Sequence, residues 1–453
     1  MDRLFLTNSI EEIREKVTSG DISFIDLAEE TSRIIESYEK NFLAWVCNDG
    51  DELKLSAERA VKKFMKRRSL LALDGIPFGV KDTFNTSSFP TQMGSPIWRG
   101  FTPGNDARVV SSCVLEGGLV AGKTVTAEFA VHALNKTKNP HDIDRTPGTS
   151  SSGSAVAVAT GMVPYALASQ TAGSIVRPAS FCGVWGMKPS FGLIPRTGVL
   201  KTTDSLDTIG FITSHAENLR PLLNVVRVKG PNYPNVYKNI DKNGSYSKSR
   251  GRPFRVGYVK THTWDEAKDY VKRDVENLAL RIGAEQDFHL EQITLPDPEG
   301  EAHSVHQSIY NKSLAYYFMN EVKNDTDVSQ IMKDMIEAGK LINLVDFRCA
   351  LQRQEAISAQ IDKLFEPYDF VLSVGTSSSA PLRGDEELRD PSLIWTLSHL
   401  PVVAAPAFRC PKGLPYGVQF VSSRWKDYVL LQGIEELVNR GILMSGSEPI
   451  IHV

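Results

Sequence analysis

Two serine- and glycine-rich loops, Thr146–Ser154 (TPGTSSSGS) and Thr171–Ser174 (TAGS), flank an Ala/Val-rich segment, and Lys81 ends an apolar run upstream. Serine hydroxyls, a lysine and small-residue backbone are the parts of acyl chemistry. They supply a nucleophile, a proton acceptor and N–H donors for a developing oxyanion. The loops are not linkers, because a flexible Gly/Ser linker would not be punctuated by Val156, Val158, Met162, Val163, Tyr165 and Leu167. Small residues beside such a core mean that backbone approaches something closely. A lysine acts as a base only when desolvation lowers its pKa. Lys81 follows Ile76-Pro77-Phe78-Gly79-Val80, which reads as a buried strand. A histidine-based site is poorly supported, since there is no GxSxG elbow and the nine histidines fall in no recognisable pattern.

Gly117-Gly118-Leu119-Val120-Ala121-Gly122-Lys123-Thr124 matches the phosphate-loop pattern GxxxxGK[ST]. Its context is wrong, because an amphipathic helix precedes the first glycine and Leu-Val-Ala reads as the strand itself. A strand ending at Gly122 is the expectation, without nucleotide binding.

Taken together, Lys81, Gly148-Thr149-Ser150-Ser151-Ser152-Gly153-Ser154, Thr171-Ala172-Gly173-Ser174 and Gly186-Met187-Lys188-Pro189 resemble the signature of the amidase signature family. The resemblance is strong over residues 70–215 and weak over 365–435. It implies an α/β fold with a large mixed, twisted central β-sheet covered by helices on both faces. It also implies a serine hydrolase that cleaves a carbon–nitrogen amide bond through an acyl-enzyme, with no cofactor and no metal. In that scheme Lys81 is the base, Ser150 the relay serine on a cis peptide bond and Ser174 the nucleophile. Backbone N–H groups around Thr171, Ala172 and Gly173 form the oxyanion hole, and Ser151 touches substrate. Thr149, Ser152 and Ala172 stand where the common pattern has glycine, and Gln170 where it has aspartate.

Gln170–Pro178 is closest to malonamidase E2-like members, whose matching arginine binds a substrate carboxylate. That makes Arg177 a candidate clamp, a guanidinium fork suiting a planar carboxylate. The competing reading pairs Arg177 with a carboxylate of its own protein. The expected substrate is a small amide, bearing a carboxylate if Arg177 is a clamp. Two other functions stay open: an amidotransferase A-type subunit supplying ammonia to a tRNA-linked acyl group, and an aryl- or bulky-amide hydrolase. His303, His306 and Gln307 could line a pocket, but a polar helix face is the preferred reading.

These groups need a scaffold. Residues 7–45 predict two helices, with Ser9 and Glu12 in capping-box spacing and Gly20 as the stop. Gly75–Val80, Gly118–Ala121, Phe370–Val374, Val402–Ala405 and Tyr416–Val421 predict strands, and Asp106–Glu116 and Leu393–His399 predict helices. The organisation expected is one domain over 1–453: N-terminal helices 7–45, signature core 70–215, variable loop 228–254, helical region 263–365, and C-terminal strands and helices 366–453.

Charge and composition exclude other classes. A net charge of −3 gives no global field for nucleic acid or anionic membrane. The cluster Lys62–Arg68 reads as a solvated helix face. Five scattered cysteines without a CxxC pair argue for a reducing compartment. No stretch approaches the roughly 20 apolar residues that span a bilayer. A cytoplasmic protein is expected, with a homodimer left open.

Overall fold

Strands run at β1 Trp45–Asn48, β2 Pro77–Lys81, β3 Leu119–Thr124, β4 Tyr165–Gln170, β5 Trp185–Lys188 and β6 Thr208–Thr213. They continue at β7 Phe254–Val259, β8 Phe288–Ile293, β9 Phe370–Val374, β10 Val402–Arg409 and β11 Pro415–Val421. All belong to one sheet of 11 strands, ordered β1-β3-β2-β4-β6-β5-β10-β11-β9-β7-β8. The structure, a computed structural model, describes residues 3–67, 69–242, 252–296, 300–323, 326–448 and 450. The sheet is mixed: β2 lies parallel to β3 and β4, β7 lies parallel to β8 and β9, and the pairs β4–β6, β6–β5, β5–β10, β10–β11 and β11–β9 are antiparallel. Successive residues of a strand face opposite ways, so burial at every position means that both faces are covered. β2, β5, β6, β9 and β11 are buried throughout. This is the helix-covered mixed sheet that the sequence predicts.

The parallel pairings set up the site. They bring the C-terminal ends of β2, β3 and β4 to one edge, where side chains and loops converge outside the strand ends. Lys81 is the last residue of β2, and β4 ends at Gln170, just before the Thr171–Ser174 loop. The helix Ser152–Ala159 starts directly after Ser150-Ser151 and is buried along its whole length. Such a helix has no polar face, which explains its run of Ala, Val, Gly and Ser. Its Ser154 hydroxyl lies 2.8 Å from Thr124 Oγ1 and donates to Leu167 O at 3.0 Å, tying the helix to β3 and β4.

Both N-terminal helices form, at Ile10–Ser19 and Phe24–Phe42, each with a complete capping box (Ser9 with Glu12, Ser23 with Asp26). Three expectations need correction. The strand expected to end at Gly122 runs on to Thr124. Within it Lys123 is fully buried, 3.2 Å from Asp82 Oδ1, and donates to Phe84 O and Thr91 Oγ1, both at 2.8 Å. A lysine held this way has no reach to a phosphate. The region 263–365 is not purely helical, because Phe288–Ile293 forms strand β8. It is the sheet's outer strand, buried only at Phe288, and the apolar Phe288, Leu290 and Ile293 follow no strict alternation that would declare it. In 228–254, Pro234–Val236 and Tyr237–Asp241 are helical turns, and 243–251 lie outside the described residues. Among the described residues no helix is long and apolar enough to cross a membrane.

Gly153 marks the tightest approach of this helix to the sheet. A Cβ there would sit 2.3 Å from both Ala44 O and Val125 N, which are backbone atoms that cannot swing aside. Gly153→Ala should therefore lower the unfolding free energy by about 1–3 kcal/mol, the usual cost of overpacking. Denaturant unfolding checks this, and a change under about 0.5 kcal/mol would contradict the packing described.

Candidate active site

Lys81 is fully buried, and its Nζ lies 2.8 Å from Ser150 Oγ, 3.0 Å from Ser151 Oγ and 3.0 Å from Ser169 Oγ. Among the described residues no carboxylate touches it. Burial pushes its pKa down to about 7, with the more distant Asp207 charge acting weakly the other way. A neutral amine has two N–H donors and one lone pair, so one neighbouring hydroxyl can point its proton at the nitrogen. Ser151 spends its proton on Ser169 O at 3.2 Å. Ser150 Oγ and Ser169 Oγ have no other acceptor among the described residues, so these two hydroxyls are the ones able to donate to the lone pair, and Ser150 is the nearer. The Thr149–Ser150 peptide bond is cis. Ser151, expected to touch substrate, is fully buried, and its hydroxyl meets Lys81 and Ser169 O.

The second loop carries Ser174, which is 5% exposed. Two residues later the helix Val176–Cys182 begins, and Gln170 Oε1 accepts from its leading N–H groups, Ile175 N at 2.8 Å and Val176 N at 3.1 Å. Gln170 Nε2 donates to Ser392 Oγ at 3.0 Å and Thr396 Oγ1 at 2.9 Å. An aspartate could accept the first pair of bonds but has no N–H for the second. The departure from the common pattern thus adds a tie to the helix Leu393–Leu397. Thr149, Ser152 and Ala172 are absent from the residues with positive φ, so none occupies a conformation that only glycine accepts comfortably. Gly173 is different: a Cβ there would fall 1.7 Å from Asp390 Oδ2.

A cavity of about 740 Å3 opens beside Thr149 and Ala172. His303, His306 and Gln307 line it, the alternative to a polar helix face; His306 is buried while Gln307 stays exposed. Burial pushes His303 down to about 3, and His132, beside Thr149, likewise to about 3. Both are neutral near neutral pH. Arg177 also borders the cavity, but its Nη1 lies 2.5 Å from Glu387 Oε2 and its Nη2 3.3 Å from Asp390 Oδ2. The guanidinium meets two carboxylates of its own chain, so the competing reading describes its contacts. Glu387 and Asp390 were invisible in the sequence because they lie more than 200 residues from Arg177. A smaller cavity of about 200 Å3 adjoins the other side of the loop, at Ser169, Thr171 and Asp207. Among the described residues no group of three or more His, Cys, Asp or Glu is arranged to hold a metal ion.

Removing a buried cation strands its partners, which costs about 3–5 kcal/mol. Arg177→Leu should therefore destabilise the fold by about 3 kcal/mol in equilibrium denaturation. A loss below about 1 kcal/mol would show that these ion pairs do not organise the 387–390 segment.

Residues 26–431 match the family model described as Amidase, a span that includes all eleven strands and both serine loops. The A-type subunit of glutamyl-tRNA(Gln) amidotransferase from Prochlorococcus marinus is 28% identical, over 94% of this chain and 95% of that protein. Its counterpart in Lactobacillus gasseri is 29% identical over 93% and 94%. Among solved structures, an inhibitor-bound vestigial protein complex, described as revealing the evolutionary origins of an s-triazine catabolic enzyme, contains a chain with a TM-score of 0.86 and 26% identity. The match covers 96% of this chain and 99% of that one. The peptide amidase of Stenotrophomonas maltophilia shares the fold at a TM-score of 0.83 and 20% identity, covering 99% of each chain. With its whole sheet and both serine loops inside the matched span, the chain belongs to the amidase signature family.

Proposed function

We propose that this chain cleaves a carbon–nitrogen amide bond through a Lys81–Ser150–Ser174 relay. The observation that carries the reading is the buried Lys81 Nζ, 2.8 Å from Ser150 Oγ, with a pKa lowered to about 7. Neutral Lys81 accepts the Ser150 proton while Ser150 Oγ accepts that of Ser174. Ser174 Oγ then bonds to the amide carbon, and the carbonyl electrons move onto oxygen. Loop N–H groups stabilise that oxyanion, each donor being worth about 2.7–4 kcal/mol. The relay returns a proton to the leaving nitrogen, the C–N bond breaks, and ammonia or an amine departs. Water then opens the acyl-enzyme, with Ser150 and Lys81 again taking its proton.

The two relatives named as A-type subunits of glutamyl-tRNA(Gln) amidotransferase, each matched over nearly its whole length, favour one use of this chemistry: an A-type subunit whose ammonia goes to a partner that holds the acyl-tRNA. With a net charge of −3 on this chain, such a partner would bring the RNA-binding surface. A stand-alone hydrolase of carboxylate-bearing amides is the weaker reading. Its specific support was Arg177, whose guanidinium is already engaged by Glu387 and Asp390.

Ammonia release by the purified chain from glutamine, asparagine, malonamate-like acids and simple primary amides, measured with and without added carboxylates, tests both uses. A tenfold preference for malonamate-like acids over both glutamine and uncharged amides, with no gain on adding a tRNA-binding partner, would favour the stand-alone enzyme. Ser174→Ala and Lys81→Ala should each remove more than about 99% of turnover while the folded state persists, as expected when members of one relay are lost. Near-normal turnover in either variant would sink the relay. Because the base is the neutral amine, kcat should rise about tenfold per pH unit below 7 and level off above it. A flat profile between pH 5 and pH 8 would contradict a lysine base.

A further inference from the structure

We propose that His306 and Thr396 are positioning residues that aim the backbone N–H groups of the Thr171–Ser174 loop at the substrate's carbonyl oxygen. The proposal rests on the relay described above and concerns how its oxyanion is held. In a trans peptide unit the C=O and the next N–H lie in one plane and point opposite ways, so pinning the carbonyl fixes the direction of the donor.

Each carbonyl of the loop is pinned from behind. Thr171 O accepts from His306 Nε2 at 2.7 Å, which fixes the Ala172 N–H. Ala172 O accepts from Thr396 Oγ1 at 2.6 Å, which fixes the Gly173 N–H. Gly173 O accepts from Arg177 N at 2.9 Å as the helix begins, which fixes the Ser174 N–H. The N–H groups of Ala172, Gly173 and Ser174 donate to no protein acceptor among the described residues. Three donors are thus oriented while their hydrogen bonds stay unspent, the arrangement that preorganised electrostatic catalysis needs.

The two side chains suit this work. A carbonyl only accepts, so His306 must carry its proton on Nε2. Thr396 donates to Ala172 O while accepting from Gln170 Nε2 at 2.9 Å, so its hydroxyl proton has one direction to point. Both residues are buried, and they reach the loop from 135 and 224 residues away in the chain. Thr396 does not line the large cavity, so its loss should leave substrate contacts intact.

The test compares Thr396→Val with Thr396→Ser, and His306→Leu with His306→Gln, on whichever amide the wild-type chain hydrolyses. The valine and leucine variants remove the donor; serine and glutamine keep an O–H or N–H in its place. The expected result is a fall in kcat of about tenfold to a hundredfold for the first pair. For the Thr396 variants KM should stay within about twofold, and the conservative pair should recover kcat to within about threefold of wild type. Affinity for a boronic acid, which forms a tetrahedral adduct on the serine, should fall in parallel with kcat. The His306 pair decides the matter if Thr396→Val does not fold. A donor-less folded variant that keeps kcat within twofold, while Ser174→Ala is dead, overturns the positioning role and leaves the relay standing. Activity that survives Ser174→Ala overturns the underlying relay instead.

Discussion

A buried amine that faces hydroxyls and touches no carboxylate is the constraint on which this structure depends. Three fully buried lysines among the described residues let the point be made within one molecule. Lys123, one strand over from Lys81, is paired with Asp82 and donates to Phe84 O and Thr91 Oγ1; burial pushes its pKa down and the Asp82 charge opposes that shift. Lys188 is pushed down to about 7, as Lys81 is, but its amine contacts the carbonyls of Pro189 and Leu400. Carbonyls have no proton to give. Lys81 alone of the three combines a pKa lowered to about 7 with a serine hydroxyl free to donate. A perturbed pKa marks a candidate; the chemistry of its neighbours decides what it can do.

The rest of the site holds that amine and its two serines in register. Parallel pairing of β2 with β4 places Lys81 beside Ser169, and the all-buried helix Ser152–Ala159 presents Ser150 and Ser151 from the other side. The nucleophile loop is fastened to the next helix by Gln170 and to the Leu393–Leu397 helix by Thr396. Arg177 then serves the walls of the cavity, joining the first turn of its helix to Glu387 and Asp390. A cation spent in this way offers little net attraction to a substrate carboxylate, because displacing either partner would strand a carboxylate in a poorly solvated place.

Much of this was legible in the sequence because it is local. The apolar run before Lys81, the capping box at Ser9 and the small residues of Thr146–Ser174 each carry their meaning within a few positions. The signature resemblance supplied the pairing of Lys81 with Ser150. What could not be read is long-range. His306 and Thr396 contact the nucleophile loop across 135 and 224 residues, and no periodicity encodes such a partner. Ser151 was ambiguous for a related reason: adjacent serines look alike in sequence, and only the fold sends one inward to Ser169 O. The apparent phosphate loop was set aside on its context, and strand pairing with β1 and β2 buries its lysine.

The most direct measurement is the titration of Lys81 itself, followed by NMR of a chain carrying 13C- and 15N-labelled lysine, with Lys81→Met used to assign the resonance. The account requires the Lys81 ammonium to lose its proton near pH 7, well below the ordinary value of 10.5. A Lys81 signal that stays protonated to pH 9 or above would contradict it, because the amine could not then accept the Ser150 proton at neutral pH.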